Sequence, residues 1–173
     1  MKKSVLVILI CILMGSIPRA NAQLTGNEKT EMLNAINNLR AGLAQHGVAP
    51  LTWSNSLASQ AQEWANHLVE VGYLSHAQNS YGQNLFYAAY YYQYQRKSPQ
   101  DVVDMWAEEA EHYNYQGNYC DYGKVCDHYT QLIWKNTTQV GCAVGSTTQG
   151  GMHKNYWVCF FNPPGNYYGV KPY

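Results

Sequence analysis

The sequence predicts an α+β fold, with helices packed on a small antiparallel sheet. Three observations predict it. Apolar residues recur at helical spacing through the first part of the chain. Two strand-like runs joined by a glycine-rich turn close it. No internal repeat or linker divides the 173 residues, a length that suits one domain with a sizeable core.

The first segment reads as a targeting signal. Lys2 and Lys3 precede the apolar run VLVILICILMG, too short to span a bilayer, and Ala20-Asn21-Ala22 supplies an A-x-A cleavage pattern. Residues 1–22 are therefore expected to be removed, leaving 23–173 as one secreted domain. The first helix is expected over Asn27 to Gln45, where Met32, Leu33, Ile36, Leu39 and Leu43 share a face and Gly47 can stop it. A short extended piece, Pro50 to Trp53, leads to Ser54 as the N-cap of a second helix. Its apolar face carries Leu57, Ala61, Trp64, Leu68 and Val71, and Gly72 ends it. Residues 73–97 show no clean period and hold a tyrosine-rich tract, Tyr87–Tyr94. Ser98-Pro99 starts a third helix with a buried face of Val103, Trp106, Ala110 and Tyr113. Asp127 is expected to cap a short fourth helix that runs through Trp134. The strand-like runs are Thr138–Thr147 and Asn155–Asn162.

Composition narrows the function. Hydrophobic residues make up 46% and charged residues 13%, which excludes a disordered charged tail. Loss of Lys2, Lys3 and Arg19 leaves 8 basic residues against 11 acidic ones, a net charge near −3. A mildly acidic chain without a basic stripe does not suit nucleic acid. No later run is apolar enough to span a bilayer. The expected state is therefore soluble and extracellular (the apoplast, in a plant), and a monomer. Sixteen of the 24 aromatic residues are tyrosine, which points to amphipathic surfaces or grooves as well as core.

Cys11 leaves with the signal. Cys120, Cys126, Cys142 and Cys159 remain, an even number that allows three connectivities. Zinc ribbons use tight C-x2-C pairs, absent here, and the secretory context favours disulfides. Asn136-Thr137-Thr138 is an N-glycosylation sequon.

Three stretches together resemble the CAP superfamily of cysteine-rich secretory, antigen 5 and pathogenesis-related 1 proteins. Asp127–Thr137, DHYTQLIWKNT, looks like its GHYTQ-x-x-W signature. Tyr156–Tyr167, YWVCFFNPPGNY, looks like its second signature, and SHAQNSYGQNL resembles its HS…GENL element. With Trp106–Glu109 and the ending GNYYGVKPY, the resemblance covers 25–173 and looks most like the plant pathogenesis-related 1 branch.

That resemblance implies an α-β-α sandwich, with helices on both sides of the sheet. It implies bridges Cys120–Cys126 and Cys142–Cys159; a third family bridge has Tyr73 and Ser146–Thr148 at its two places. It implies a cleft of His76, Glu109 and His128, with Gln83 in place of the family's second acid and two extra residues between His76 and Gln83. Two imidazoles and a carboxylate suit Zn²⁺ or another divalent metal, held weakly and not required for function. On this reading Gln83→Glu should strengthen the cleft. The family associates with sterols and other small lipophilic ligands at aromatic loops. Tyr113, Tyr115 and Tyr119 are the local cluster that suits a rigid sterol. Plant members also release a C-terminal peptide, PxGNxxxxxPY, which Pro163–Tyr173 fits after cleavage at Asn162–Pro163.

Catalysis is not expected. Ser75 neighbours His76 in sequence, but no nucleophile–base motif is present, and no catalytic residue is assigned. The leading expectation is a secreted defence-related protein that binds a small lipophilic ligand. The alternatives are a signalling-peptide precursor and a metal-assisted hydrolase.

Overall fold

A computed structural model describes residues 23–91 and 96–173. The expected signal, 1–22, and Tyr92 and Tyr94 of the tyrosine tract lie outside the described residues.

Local signals set most helix starts. Helix α1 (Gly26–Ala41) opens with a capping box in which Thr25 and Glu28 exchange side-chain and backbone hydrogen bonds. It ends before the expected Gln45, and a 3₁₀ turn over Ala44–His46 closes on Gly47 at φ 78°. Strand β1 (Thr52–Trp53) leads to α2 (Asn55–Val71), capped by Ser54 and stopped by Gly72 at φ 82°. Helix α3 (Pro99–Ala107) starts with a second capping box, Ser98 with Asp101. It stops early because Glu108, Glu109 and Glu111 would crowd negative charge at its negative end, and the chain tightens into a 3₁₀ turn there. Ala110 is consequently exposed, and Tyr113 begins the two-residue strand β3 (Tyr113–Asn114) instead of closing a helical face. Strand β4 (Tyr119–Cys120) pairs with β3. In α4 (Asp127–Leu132) the N-cap is Cys126, held by its bridge to Cys120, and Asp127 lies in the first turn.

Strand β2 (Gly82–Tyr91) occupies the tract without a clean period. Its tyrosines suit both a buried and a solvated face, so they mask the alternation that would reveal a strand. It pairs along ten residues with β6 (Met152–Asn162), which also pairs with β5 (Gln139–Gln149). The sheet order is β1-β5-β6-β2, with β1 parallel to β5 and the other pairs antiparallel.

Period-two alternation divides the core. Val140, Cys142 and Val144 of β5, with Trp157, Cys159 and Phe161 of β6, face residues of α1, α3 and α4, among them Met32, Ile36, Val102, Val103, Trp106 and Leu132. Ala143, Tyr156, Val158 and Phe160 face α2. This is the α-β-α sandwich that the resemblance implied. Cys142 and Cys159 are register partners with Cα atoms 4.1 Å apart, so their disulfide crosses a narrow strand pair inside the first core.

Among the described residues, one charged side chain is fully buried. Arg40 is fully buried, and its guanidinium donates to the carbonyls of Ala49 (2.7 Å), Leu132 (2.8 Å), Trp134 (3.0 Å) and Thr137 (3.2 Å). Burial lowers its pKa to about 10, which still leaves it protonated at neutral pH. Arg40→Met should leave these carbonyls without their donor and cost roughly 3 kcal/mol or more in urea unfolding. Arg40→Lys should recover part of the loss, because three donors replace five. An unchanged midpoint for Arg40→Met would refute this role.

Candidate functional site

Glu109 and His128 meet where the turn after α3 touches the start of α4. Glu109 Oε2 accepts the N–H groups of His128 (3.0 Å) and Tyr129 (3.1 Å). Its Oε1 lies 2.6 Å from His128 Nδ1. Trp106 stacks on the imidazole with centroids 6.1 Å apart, and Asn84 donates to the His128 carbonyl at 3.0 Å. Backbone, ring and carboxylate therefore fix His128 together. Sequence reasoning placed Glu109 and His128 in one cleft. It missed Asn84 and gave Trp106 only a core role.

The remaining cleft residues behave differently. His76 is exposed, on the loop after α2. Gln83 is turned onto that same loop: its carbonyl accepts the Ala77 N–H at 2.8 Å, and its amide donates to Ala77 O (2.9 Å) and Asn79 Oδ1 (3.0 Å). Among the described residues, no three His, Cys, Asp or Glu side chains converge as a metal set. Of the expected set His76, Glu109 and His128, Glu109 and His128 are in direct contact, and His76 lies on the exposed loop after α2. A glutamate at 83 could not donate to Ala77 O or Asn79 Oδ1 and would set a carboxylate against two acceptors. Gln83→Glu should therefore cost about 1–3 kcal/mol of stability and gain no Zn²⁺ affinity. Thermal unfolding and zinc titration calorimetry of the two proteins check both halves; tighter zinc binding would restore the four-residue cleft.

The second candidate is a groove of about 360 Å³ between the disulfide loop and the C-terminal segment. Tyr113, Asn118, Tyr119, Cys120, Cys126, Asp127, Thr130 and Trp134 line one side, and Asn166 to Val170 with Pro172 line the other. Of the three tyrosines expected to form one ligand surface, Tyr113 and Tyr119 line this groove. Tyr115 does not: it stacks on Tyr173 at 4.6 Å between centroids, and its hydroxyl donates to the Tyr173 carbonyl. Much of the wall's polar capacity is used internally. Thr130 Oγ1 bonds to Asn166 Oδ1 at 2.8 Å, Asn166 donates to Asp127 O at 2.8 Å, and the Tyr113 hydroxyl donates to Asn118 Oδ1 at 2.7 Å.

The C-terminal segment is strapped to the body. Thr137 donates to Pro163 O (2.8 Å), Gly165 N–H to Gln131 Oε1 (2.9 Å) and Lys135 N–H to Pro172 O (2.7 Å). At the expected cleavage junction, Asn162 pairs with Gln139 and its carbonyl accepts the Thr138 N–H at 3.1 Å. Release of Pro163–Tyr173 would require these contacts to open. Within the sequon, Asn136 is exposed while the Thr137 hydroxyl is held in this network.

Burial first, and neighbouring tyrosines second, push the phenols of Tyr113, Tyr129 and Tyr173 above their ordinary value of 10.0. A phenol raised in the folded state stabilises fully below its unfolded pKa, and that contribution is lost as pH rises through the folded value. Stability should therefore fall above pH 10, with Tyr173→Phe showing a shallower fall in alkaline unfolding followed by phenolate absorbance. An identical pH profile for that variant would exclude Tyr173 from the effect.

Comparison with known proteins agrees with the fold. Residues 33–161 match the model of the CAP family, described as the cysteine-rich secretory protein family. Pathogenesis-related protein 1A of Nicotiana tabacum is 37% identical over 147 residues, covering 85% of this chain and 82% of that protein. Pathogenesis-related protein PR-1 of Medicago truncatula is 36% identical, covering 91% and 86%. Among solved structures, venom allergen-like protein 4 of Schistosoma mansoni superposes with a TM-score of 0.62 at 23% identity, covering 87% of this chain and 95% of that one. The structure titled NaASP2 with Zn²⁺ superposes with a TM-score of 0.66 at 20% identity, covering 88% of each. The sandwich, the signature helix α4 and these relatives together establish that the chain belongs to the CAP family of cysteine-rich secretory proteins, alongside plant pathogenesis-related 1 proteins.

Proposed function

We propose that this is a secreted, defence-related, non-enzymatic protein that holds a small lipophilic ligand, a sterol in the first instance, in the groove between the disulfide loop and the C-terminal segment. The observation that carries the reading is that groove, at about 360 Å³. Its size falls within the roughly 300–1,000 Å³ of small-molecule sites. Tyr113 and Tyr119 supply flat apolar faces with polar edges, a match for a rigid ring system bearing one hydroxyl. Secretion rests on the N-terminal signal pattern and the two disulfides. The defence role rests on kinship with pathogenesis-related proteins.

The non-enzymatic reading rests on the sequence, which carries no nucleophile–base motif. Glu109 contacts two backbone N–H groups and the His128 ring, which orients the imidazole. A hydrolase also needs a nucleophile in reach of its base.

Sterol binding by residues 23–173 tests the proposal. Tyr119 is 53% exposed, so Tyr119→Ala should weaken binding about ten-fold with little change in melting temperature. Peptide, ester and lipid substrates should show no turnover, with or without zinc. Equal binding by Tyr119→Ala would reject the groove, and turnover abolished by His128→Ala would overturn the non-enzymatic reading.

A further inference from the structure

Two turns beside the groove share one design. In the first, Lys124 N–H donates to Asp121 O at 3.0 Å; in the second, Val170 N–H donates to Tyr167 O at 3.0 Å. Each carries a tyrosine at its second position, Tyr122 or Tyr168, and both are fully exposed at 105%. Each has glycine next, Gly123 at φ 73° and Gly169 at φ 74°, which a side chain there would strain. Each is followed by one valine and one lysine in either order, Lys124-Val125 and Val170-Lys171. Val125 and Val170 are 55% and 52% exposed.

We propose that these two tyrosine-tipped turns form a docking surface for a phospholipid bilayer, seating the groove mouth on the membrane. The proposal deepens the groove reading by naming the ligand's source, and in that respect rests on it. The chemistry matches a lipid interface. Tyrosine places its ring among acyl chains and its hydroxyl at the headgroups, and valine adds apolar area. Lys124, beside the first tip, can reach lipid phosphates while its stem lies on the apolar layer; Lys171, beside the second, donates to Gln116 O at 3.1 Å and lies over the Tyr115 ring, which braces that turn against the body. Asp121, the acidic residue of the first turn, lies 3.7 Å from His112 Nδ1.

Both tips stand on fixed bases. The Cys120–Cys126 bridge closes the first loop, and Lys135 N–H holds Pro172 O behind the second. Holding the tips in advance lowers the ordering cost of contact. A polysaccharide would also stack on tyrosine. It would in addition draw on polar side chains, of which Asn166 and Thr130 are already hydrogen-bonded within the protein, while Val125 and Val170 at the tips offer a sugar nothing to bond.

Co-sedimentation of residues 23–173 with phosphatidylcholine vesicles tests the surface, with a second arm containing phosphatidylserine. Binding is expected in both arms, stronger in the second by a few-fold through Lys124. The double variant Tyr122→Ser, Val125→Ser should bind vesicles about ten-fold more weakly. Neither residue lines the groove, so its binding of sterol delivered on cyclodextrin should match wild type. Tyr73→Ser with Leu74→Ser, on the exposed loop after α2, should keep vesicle binding. Protein that stays in the supernatant, a Tyr122, Val125 variant that pellets like wild type, or pelleting only with insoluble glucan would each overturn the surface. Vesicle binding without sterol binding would uphold it while removing the groove reading.

Discussion

A buried guanidinium solvated by backbone dipoles organises this domain. Arg40 gathers carbonyls from the segment after α1, from the end of α4 and from the turn before β5. Among the described residues no carboxylate shares the contact, so the charge is balanced by oriented peptide groups in place of water. The short helix α4 depends on this most. A helix of six residues has too few internal hydrogen bonds to hold itself. Arg40 accompanies its last carbonyls and Glu109 its first N–H groups, so a cation and an anion brace the ends that the helix dipole favours for each. The position of His128 follows from that bracing.

The same helix seats the C-terminal segment. Thr130 and Gln131 bond to Asn166 and Gly165, and Trp134 lies under Gly165, where an added Cβ would come within 2.7 Å of the indole. The signature stretch therefore has two structural duties. One side fixes the histidine, and the other lays down the far wall of the groove. Any ligand in that groove would contact chain segments separated by some fifty residues, a juxtaposition created by folding alone.

Much of this was legible in advance, where local chemistry decides the outcome. The caps at Ser54 and Ser98, the stop at Gly72 and the two closing strands follow from side-chain hydrogen bonding and backbone freedom. Strand β2 was hidden because tyrosine obscures the contrast between its faces. The end of α3 was misjudged because apolar spacing continued past a charge cluster that opposes the helix. The candidate site divides similarly. Glu109 and His128 became legible through the family signature, since nothing local joins residues 19 apart. Gln83 could be placed in the sequence but not aimed: its amide has a nearer claim from Ala77 and Asn79. Tyr115 looked equivalent to its neighbours until Tyr173 arrived from the other end of the chain.

Gly141 and Gly145 give the two halves of the sandwich different mechanical characters. A Cβ at Gly141 would come within 2.3 Å of Ala58 N, and one at Gly145 within 2.5 Å of Ala65 O. Helix α2 thus rests directly on strand backbone at two points, with no side chain between to act as a spring. Sliding or rotating it would drive peptide groups into each other, so this layer moves with the sheet as one rigid plate. On the opposite face, α1, α3 and α4 meet the sheet through interdigitated side chains such as Met32, Ile36 and Trp157. A small shift of a helix can be absorbed there by repacking of side chains, in the layer that carries His128, whereas α2 has no such slack at its two glycine contacts.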